Sequence, residues 1–255
     1  MQSFFKRYEK KYIITPEQCA VFQNILSRRM APDRFGEYLV QNLYFDTENW
    51  DVIRASIEKP LFKEKLRLRC YGTPDQESTL FLELKKKYKG IVYKRRVPLP
   101  FKAFTDRTVR EIVSGESSQI SRELDFYLKT EAVSEKIHIS YNRIALSGIT
   151  DAGLRVTFDT HMRFRLDGLN FEHPCGGRLI LPQGGVVMEI KALGGMPLWL
   201  SRALGENGIF PRTFSKYGVC YSDYISKEDR EKATIEDREK AIIEGRKKGT
   251  VKISA

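Results

Sequence analysis

The chain has 255 residues, enough for one large domain with a full core or two small ones. Its 44 Lys and Arg outnumber 33 Asp and Glu, a formal charge of +11 that favours polyanionic partners. Four cysteines without a C-x-x-C pair (Cys19, Cys70, Cys175, Cys220) and three scattered histidines (His138, His161, His173) argue against a disulfide framework, a metal cluster and a histidine-dependent hydrolase. No apolar run reaches the ~18 residues of a membrane span, and MQSFFKRYEKKY lacks the apolar stretch of a signal peptide, so a soluble, cytoplasmic protein with idle or buried thiols is expected.

The first strand-like run is Lys6–Ile14, where aromatic and β-branched residues alternate with charge. A helix follows to about Arg29: Thr15 is the N-cap, Pro16 the first helical residue, and Gln18 completes a capping box ahead of Val21, Phe22, Ile25 and Leu26. Alternating segments then recur at Tyr38–Asp46, Phe62–Tyr71, Thr79–Tyr88, Ile91–Leu99, Ile137–Leu146, Leu154–Asp159, Met162–Leu166 and Val186–Ala192. Most are joined by short links, which favours antiparallel pairing. Helical periodicity appears in Phe101–Val113, Ile120–Lys129 and Pro197–Leu204. The fold class is α+β around one large antiparallel sheet or barrel. Residues 1–226 form the main domain; the tail 227–255 repeats EDREKATI as EDREKAII and reads as a solvated helix, with membrane or partner contact as the alternative.

In a strand, residues i, i+2 and i+4 share a face. Lys65, Arg67 and Arg69 therefore stand opposite Leu66, Leu68 and Cys70, and Glu83, Lys85 and Lys87 stand opposite Leu82 and Leu84. Lys94 and Arg96, then Arg7, Glu9 and Lys11, then Tyr141 and Arg143, then Arg155, Thr157 and Asp159, then Glu189 and Lys191 repeat the split. A half-exposed sheet with a solvated polar face explains any one of these strands. It explains the set less well, because residues 61–96 hold eleven Lys and Arg against four Asp and Glu, a local +7, and cations so close repel unless an anion lies among them. With the apolar faces turned outward under the helices, the cations would line an interior suited to an oxygen-rich polyanion such as a phosphate chain. Glu189 is then either a salt-bridge partner or a ligand for Mg²⁺ or Mn²⁺, with Glu9 and Glu83 as weaker candidates. Nucleic acid is not the expected partner. The aromatics Phe4, Phe5, Tyr44, Phe45, Phe81, Tyr88 and Tyr93 lie in strand-like runs where core packing is the better reading.

Several segments in order resemble the VTC domain, the catalytic domain of polyphosphate polymerases within the CYTH or triphosphate tunnel superfamily. They are Arg7–Tyr12, Leu43–Asp46, Leu66–Gly72, Phe81–Lys87, Tyr141–Arg143, Leu154–Asp159, Met188–Lys191 and Phe214–Tyr217. The resemblance spans roughly residues 4–225 and implies an eight-stranded antiparallel barrel, a tunnel that binds ATP and Mn²⁺ or Mg²⁺ and adds the γ-phosphate to inorganic polyphosphate. It implies that Lys11, Arg67, Arg69, Lys85, Lys94, Arg96, Arg143 and Arg155 hold triphosphate oxygens, with Lys87 a further basic position and Tyr141 beside the phosphates. Glu189 would take the metal and Lys216 would close the site. The strand faces add Arg7, Lys65 and Lys191 on the substrate side and Glu9 on the metal side. The wider superfamily opens with Glu-x-Glu-x-Lys, whereas this chain has Arg7 at the first position and keeps only Glu9 and Lys11. Losing that carboxylate weighs against simple triphosphate hydrolysis. An inorganic triphosphatase and a non-catalytic binder of polyphosphate or inositol phosphates are the rival readings.

Overall fold

The computed structural model describes residues 7–58, 60–89, 91–104, 107–174 and 176–227, and of Arg7 and Gln183 the backbone alone. Phe4, Phe5, Cys175 and the repeats of the tail lie outside the described residues. The chain divides into two units, the first ending at Phe214 and the second beginning at Ser215.

Nine strands make up the first unit's sheet: β1 (Arg7–Ile14), β2 (Met30–Asp46), β3 (Phe62–Tyr71), β4 (Thr79–Tyr88), β5 (Ile91–Pro100), β6 (Ser134–Gly148), β7 (Arg155–Arg165), β8 (Arg178–Leu179) and β9 (Val186–Leu193). Their order is β1-β9-β7-β6-β2-β3-β4-β5, with β8 on β7, and every ladder is antiparallel. The expected strands at 154–159 and 162–166 run together as β7, which passes His161 at φ 49 beside a register shift against β6.

The helices form where local signals start them. α1 (Pro16–Ser27) opens on the Thr15–Gln18 capping box. The expected helix at 101–113 is two pieces: a 3-10 turn at Phe101–Phe104, and α3 (Val109–Ser114), which starts afresh because Thr108 and Glu111 form their own capping box. α4 (Gln119–Thr130) is capped by Ser118, and α5 is Leu198–Glu206. α2 (Asp51–Ile57) has no side-chain bond from the adjacent Trp50. Instead buried Asp46 accepts from the backbone N–H groups of Val52 (2.9 Å) and Ile53 (3.0 Å). No described helix is long and apolar enough to cross a membrane.

These helices cover one face of the sheet. Phe22 and Leu26 of α1 with Leu200 and Leu204 of α5 pack on Ile14, Val156, Phe158, Met188 and Ile190. Val109, Ile112 and Val113 of α3 with Leu124 and Leu128 of α4 pack on Leu66, Leu68, Leu82, Leu84 and Leu99. The alternation seen in the sequence therefore leaves the charged residues on the opposite, uncovered face.

The barrel expected from the resemblance is not closed. Among the described residues β1 and β5 share no ladder. The segment after α5 occupies the outer edge of β1: Arg212 N–H donates to the Lys11 carbonyl (2.8 Å), and Lys11 Nζ donates to the Phe214 carbonyl (3.0 Å). The outer strand β5 carries Pro98 and Pro100, which have no N–H to offer a further strand. The open sheet nevertheless curls. In a flat sheet, β1 and β3 lie five strand spacings apart, about 24 Å, yet the charge of Lys11 on β1 reaches Lys65 on β3. The charged face is concave, with β1 brought toward β3.

Candidate functional site

Strand register builds the site row by row. Across β3, β4 and β5, Lys65 faces Lys85 and Lys85 faces Lys94; one row on, Arg67 faces Glu83 and Glu83 faces Arg96. Asn42 and Tyr44 of β2 stand opposite Arg69 and Arg67. On the other half of the sheet, Arg143 faces Asp159, Thr157 faces Glu189, and Glu189 faces Lys11. By alternation the concave face holds twelve cations whose side chains are described, namely Lys11, Lys63, Lys65, Arg67, Arg69, Lys85, Lys87, Lys94, Arg96, Arg143, Arg155 and Lys191. Four carboxylates share it: Glu9, Glu83, Asp159 and Glu189.

Glu83 is the hub of one half. It is 1% exposed and pairs with four cations: Arg67 Nη2 at 2.7 Å and Arg69 Nε at 3.9 Å on Oε2, Lys94 Nζ at 2.7 Å and Arg96 Nε at 3.1 Å on Oε1. Burial opposes its ionisation, but Arg67, Arg69 and Lys94 outweigh burial and hold the carboxyl down at about 2. Arg67 also donates through Nε to Glu83 (2.8 Å) and through Nη1 to the Tyr44 hydroxyl (3.1 Å), while Arg69 Nε donates to Asn42 Oδ1 (3.0 Å). These bonds fix both guanidinium forks yet leave N–H groups for a ligand.

In the other half, buried Asp159 takes both arms of Arg143, Nε at 2.7 Å and Nη2 at 2.8 Å, and the Arg143 guanidinium lies 5.1 Å from the Tyr141 ring centre. Glu189 pairs with Lys191. Burial would raise its pKa, but Lys191, Lys11 and Arg143 bring it to about 2. Arg155 reaches Asp33 at 3.6 Å. The cations outnumber these acids, and Lys85 and Lys87 form no ion pair among the described residues. On the covered face the account is balanced differently: Lys86 meets Glu64 and Glu123 at 3.0 Å each, and Arg95 meets Glu123 at 3.0 Å. Lys65 registers the imbalance, for burial and then the charges of Lys63, Lys11, Lys85 and Arg67 lower its pKa to about 7.

A metal was expected at Glu189 and Glu9. Among the described residues no three His, Cys, Asp or Glu side chains stand together, so an all-protein cage is absent there. A hard cation that takes most of its oxygens from phosphate needs only one or two protein donors. Glu189 supplies an ionised carboxylate, and across from it Thr157 is 3% exposed, its buried hydroxyl without a hydrogen-bond partner among the described residues. That pair of oxygens fits Mg²⁺ or Mn²⁺. Glu9 is exposed and stands opposite Lys191, one row further along.

Lys11, Lys65, Arg67, Arg69, Lys85, Lys87, Lys94, Arg96, Tyr141, Arg143, Arg155, Glu189 and Lys191 thus share one concave face. The Arg7 side chain is outside the described residues. Lys216 begins α6 (Lys216–Cys220) in the second unit, behind the Ser215 cap. Sequence reasoning missed Asp159, Asn42 and Tyr44 as partners of the arginines; only the cross-strand register reveals them. It also misplaced some aromatics. Phe45 is core, but Tyr44 lies on the charged face and Tyr88 and Tyr93 are each 46% exposed. The thiols of Cys19, Cys70 and Cys220 are free and buried, as expected. His138 is internal, 2.9 Å from Gln41 and 3.0 Å from Arg165; burial and then Arg165 push its pKa to about 3, which keeps it neutral.

The family model described as VTC domain matches residues 6–224. Among solved structures, the PH1819 protein from Pyrococcus horikoshii OT3 is 14% identical at a TM-score of 0.46, covering 86% of this chain and 99% of that chain. A candidate adenylate cyclase from Vibrio parahaemolyticus is 11% identical at a TM-score of 0.46, covering 87% of this chain and 100% of that one. No curated protein matches the chain.

Proposed function

Because this chain belongs to the VTC domain family, we propose that it is a polyphosphate polymerase that binds ATP on its concave basic face and transfers the γ-phosphate to the end of a growing polyphosphate chain. One observation carries this reading: the twelve cations and four carboxylates of a single curled face, where burial first and then the neighbouring cations lower Lys65 to about 7. A polyanion arriving there relieves that repulsion.

Phosphoryl transfer asks for positioning and charge stabilisation more than for covalent chemistry. In this reading Arg67, Arg69, Arg143 and Arg155 orient the phosphate chain, since guanidinium forks grip two oxygens at once. Arg67, Arg69 and Arg143 are already held by Glu83, Asn42 and Asp159, so little ordering remains to be done on binding. Lys11, Lys85 and Lys94 act as point charges near the phosphate being transferred. Glu189, with the Thr157 hydroxyl opposite, would hold Mn²⁺ or Mg²⁺, and such an ion neutralises charge shared between phosphate groups. The acceptor's terminal oxygen attacks the γ-phosphorus as its bond to the β-phosphate oxygen breaks, leaving ADP and a chain one unit longer.

Incubation of the purified protein with ATP and Mn²⁺ is expected to yield a long polyphosphate ladder on a gel. Orthophosphate without a ladder would favour the rival reading instead, an inorganic triphosphatase or other triphosphate hydrolase. Glu189→Gln is expected to lose turnover and keep its affinity for polyphosphate. A wild type that binds polyphosphate without turning over ATP would be the non-catalytic binder.

A further inference from the structure

The charged face continues at one end into an aromatic ladder that the phosphate chemistry does not use. Phe35, Tyr38, Tyr71 and Phe81 make successive edge-to-face contacts, with ring centres at 5.9, 6.1 and 5.9 Å. Cations run along it. Arg34 lies 4.7 Å over the Phe35 ring, Arg96 lies 3.7 Å over Phe81, and Arg96 Nη2 donates to the Tyr71 hydroxyl at 3.2 Å. Arg96 is also a partner of Glu83, so the ladder joins the cation hub directly.

Its outer end is exposed although it is apolar. Phe35 is 60% exposed and Tyr71 42%. The β2–β6 ladder is interrupted between Pro32 and Glu37, and Phe35 sits in that break, before Gly36 at φ 61. Bulges of this kind re-aim side chains beside functional sites. Each edge-to-face contact takes one ring's edge and one face of its neighbour, so a ring half or more exposed, as Phe35 is, still offers surface to solvent, and an exposed ring flanked by guanidinium is what a nucleobase stacks on.

Resting on the reading of the site as one for a nucleoside triphosphate, we propose that Phe35, Tyr38 and Tyr71 form its base-stacking platform. The nucleotide then lies with its base at the Tyr71 end of β3 and its phosphates running past Arg69 and Arg67 toward the Lys65, Lys85 and Lys94 row. Stacking does not read base edges, so guanosine and adenosine triphosphates bind alike.

Equilibrium binding of a non-hydrolysable ATP analogue and of inorganic tripolyphosphate separates the two parts of the site. Phe35→Ala is expected to weaken the nucleotide by about tenfold and leave tripolyphosphate unchanged, and Phe35→Trp is expected to restore the nucleotide. Equal weakening of both ligands, or no change for either, overturns the platform while leaving the phosphate site intact. A wild type that binds neither ligand overturns the phosphate site and the platform with it. Circular dichroism checks that the exposed position has not altered the fold.

Discussion

Arg67→Ala is expected to lower polyphosphate synthesis on the order of 100–1,000-fold, the usual cost of removing one preorganised group from developing charge, while the protein still folds. Arg67 is only partly exposed, sits at the centre of the face, and has one fork pinned by Glu83 and Tyr44. Its loss does not strand Glu83, because Lys94 at 2.7 Å, Arg96 at 3.1 Å and Arg69 at 3.9 Å remain. The expected loss of stability is therefore confined to charged hydrogen bonds, about 1–3 kcal/mol. Parallel gel assays and thermal melts check both halves of the expectation. A variant that fails to fold would make Arg67 a structural residue, and one with normal synthesis would remove it from the site.

Glu83→Gln is expected to act the other way, mainly on stability. The substitution keeps the shape but leaves four converging cations without their shared anion, and breaking a buried ion pair from one side costs about 3–5 kcal/mol. The pH dependence gives an independent figure. The Glu83 carboxyl titrates at about 2 in the folded protein against an ordinary 4.5. A lowered acid contributes stability that is present above pH 4.5 and is lost as the pH falls toward 2, here about 3 kcal/mol. Denaturant melts of the two proteins should differ most at neutral pH and converge near pH 2. Inorganic tripolyphosphate should stabilise the variant more than the wild type, because it supplies the missing negative charge. Curves that stay parallel across the whole range would show that Glu83 does not bear the charge load assigned to it.

Much of the site could be read from alternation alone. Lys65-Leu66-Arg67-Leu68-Arg69-Cys70 fixes which side chains share a face, because a strand gives its residues no other choice. The apolar partners then went under α3 and α4 as they had to. The capping box at Thr15 and Gln18 was equally local and formed as expected. α2 was illegible for the converse reason. Its N–H groups are satisfied by Asp46, at the end of the preceding strand, and the residue before it is Trp50 at φ 62.

What depends on distant segments stayed hidden. Nothing in β1 or β5 announces that Arg212 N–H will bond the Lys11 carbonyl of β1, or that β1 and β5 share no ladder among the described residues. The charge surplus was visible as composition, but its balance was not. Glu83 looked like a stray acid among lysines until the register placed Arg67 and Arg96 on either side of it. The aromatic ladder likewise draws on β2, β3 and β4 together, and its rings meet only after the strands pair.

A crystal structure of the protein soaked with a non-hydrolysable ATP analogue and Mn²⁺ tests the central claim most directly. The expected result is triphosphate density on the concave face, in contact with Arg67, Arg69, Lys94 and Arg143, with the metal beside Glu189. Phosphates bound on the helix-covered side, or a concave face whose arginines point to bulk water around no ligand at all, would contradict it.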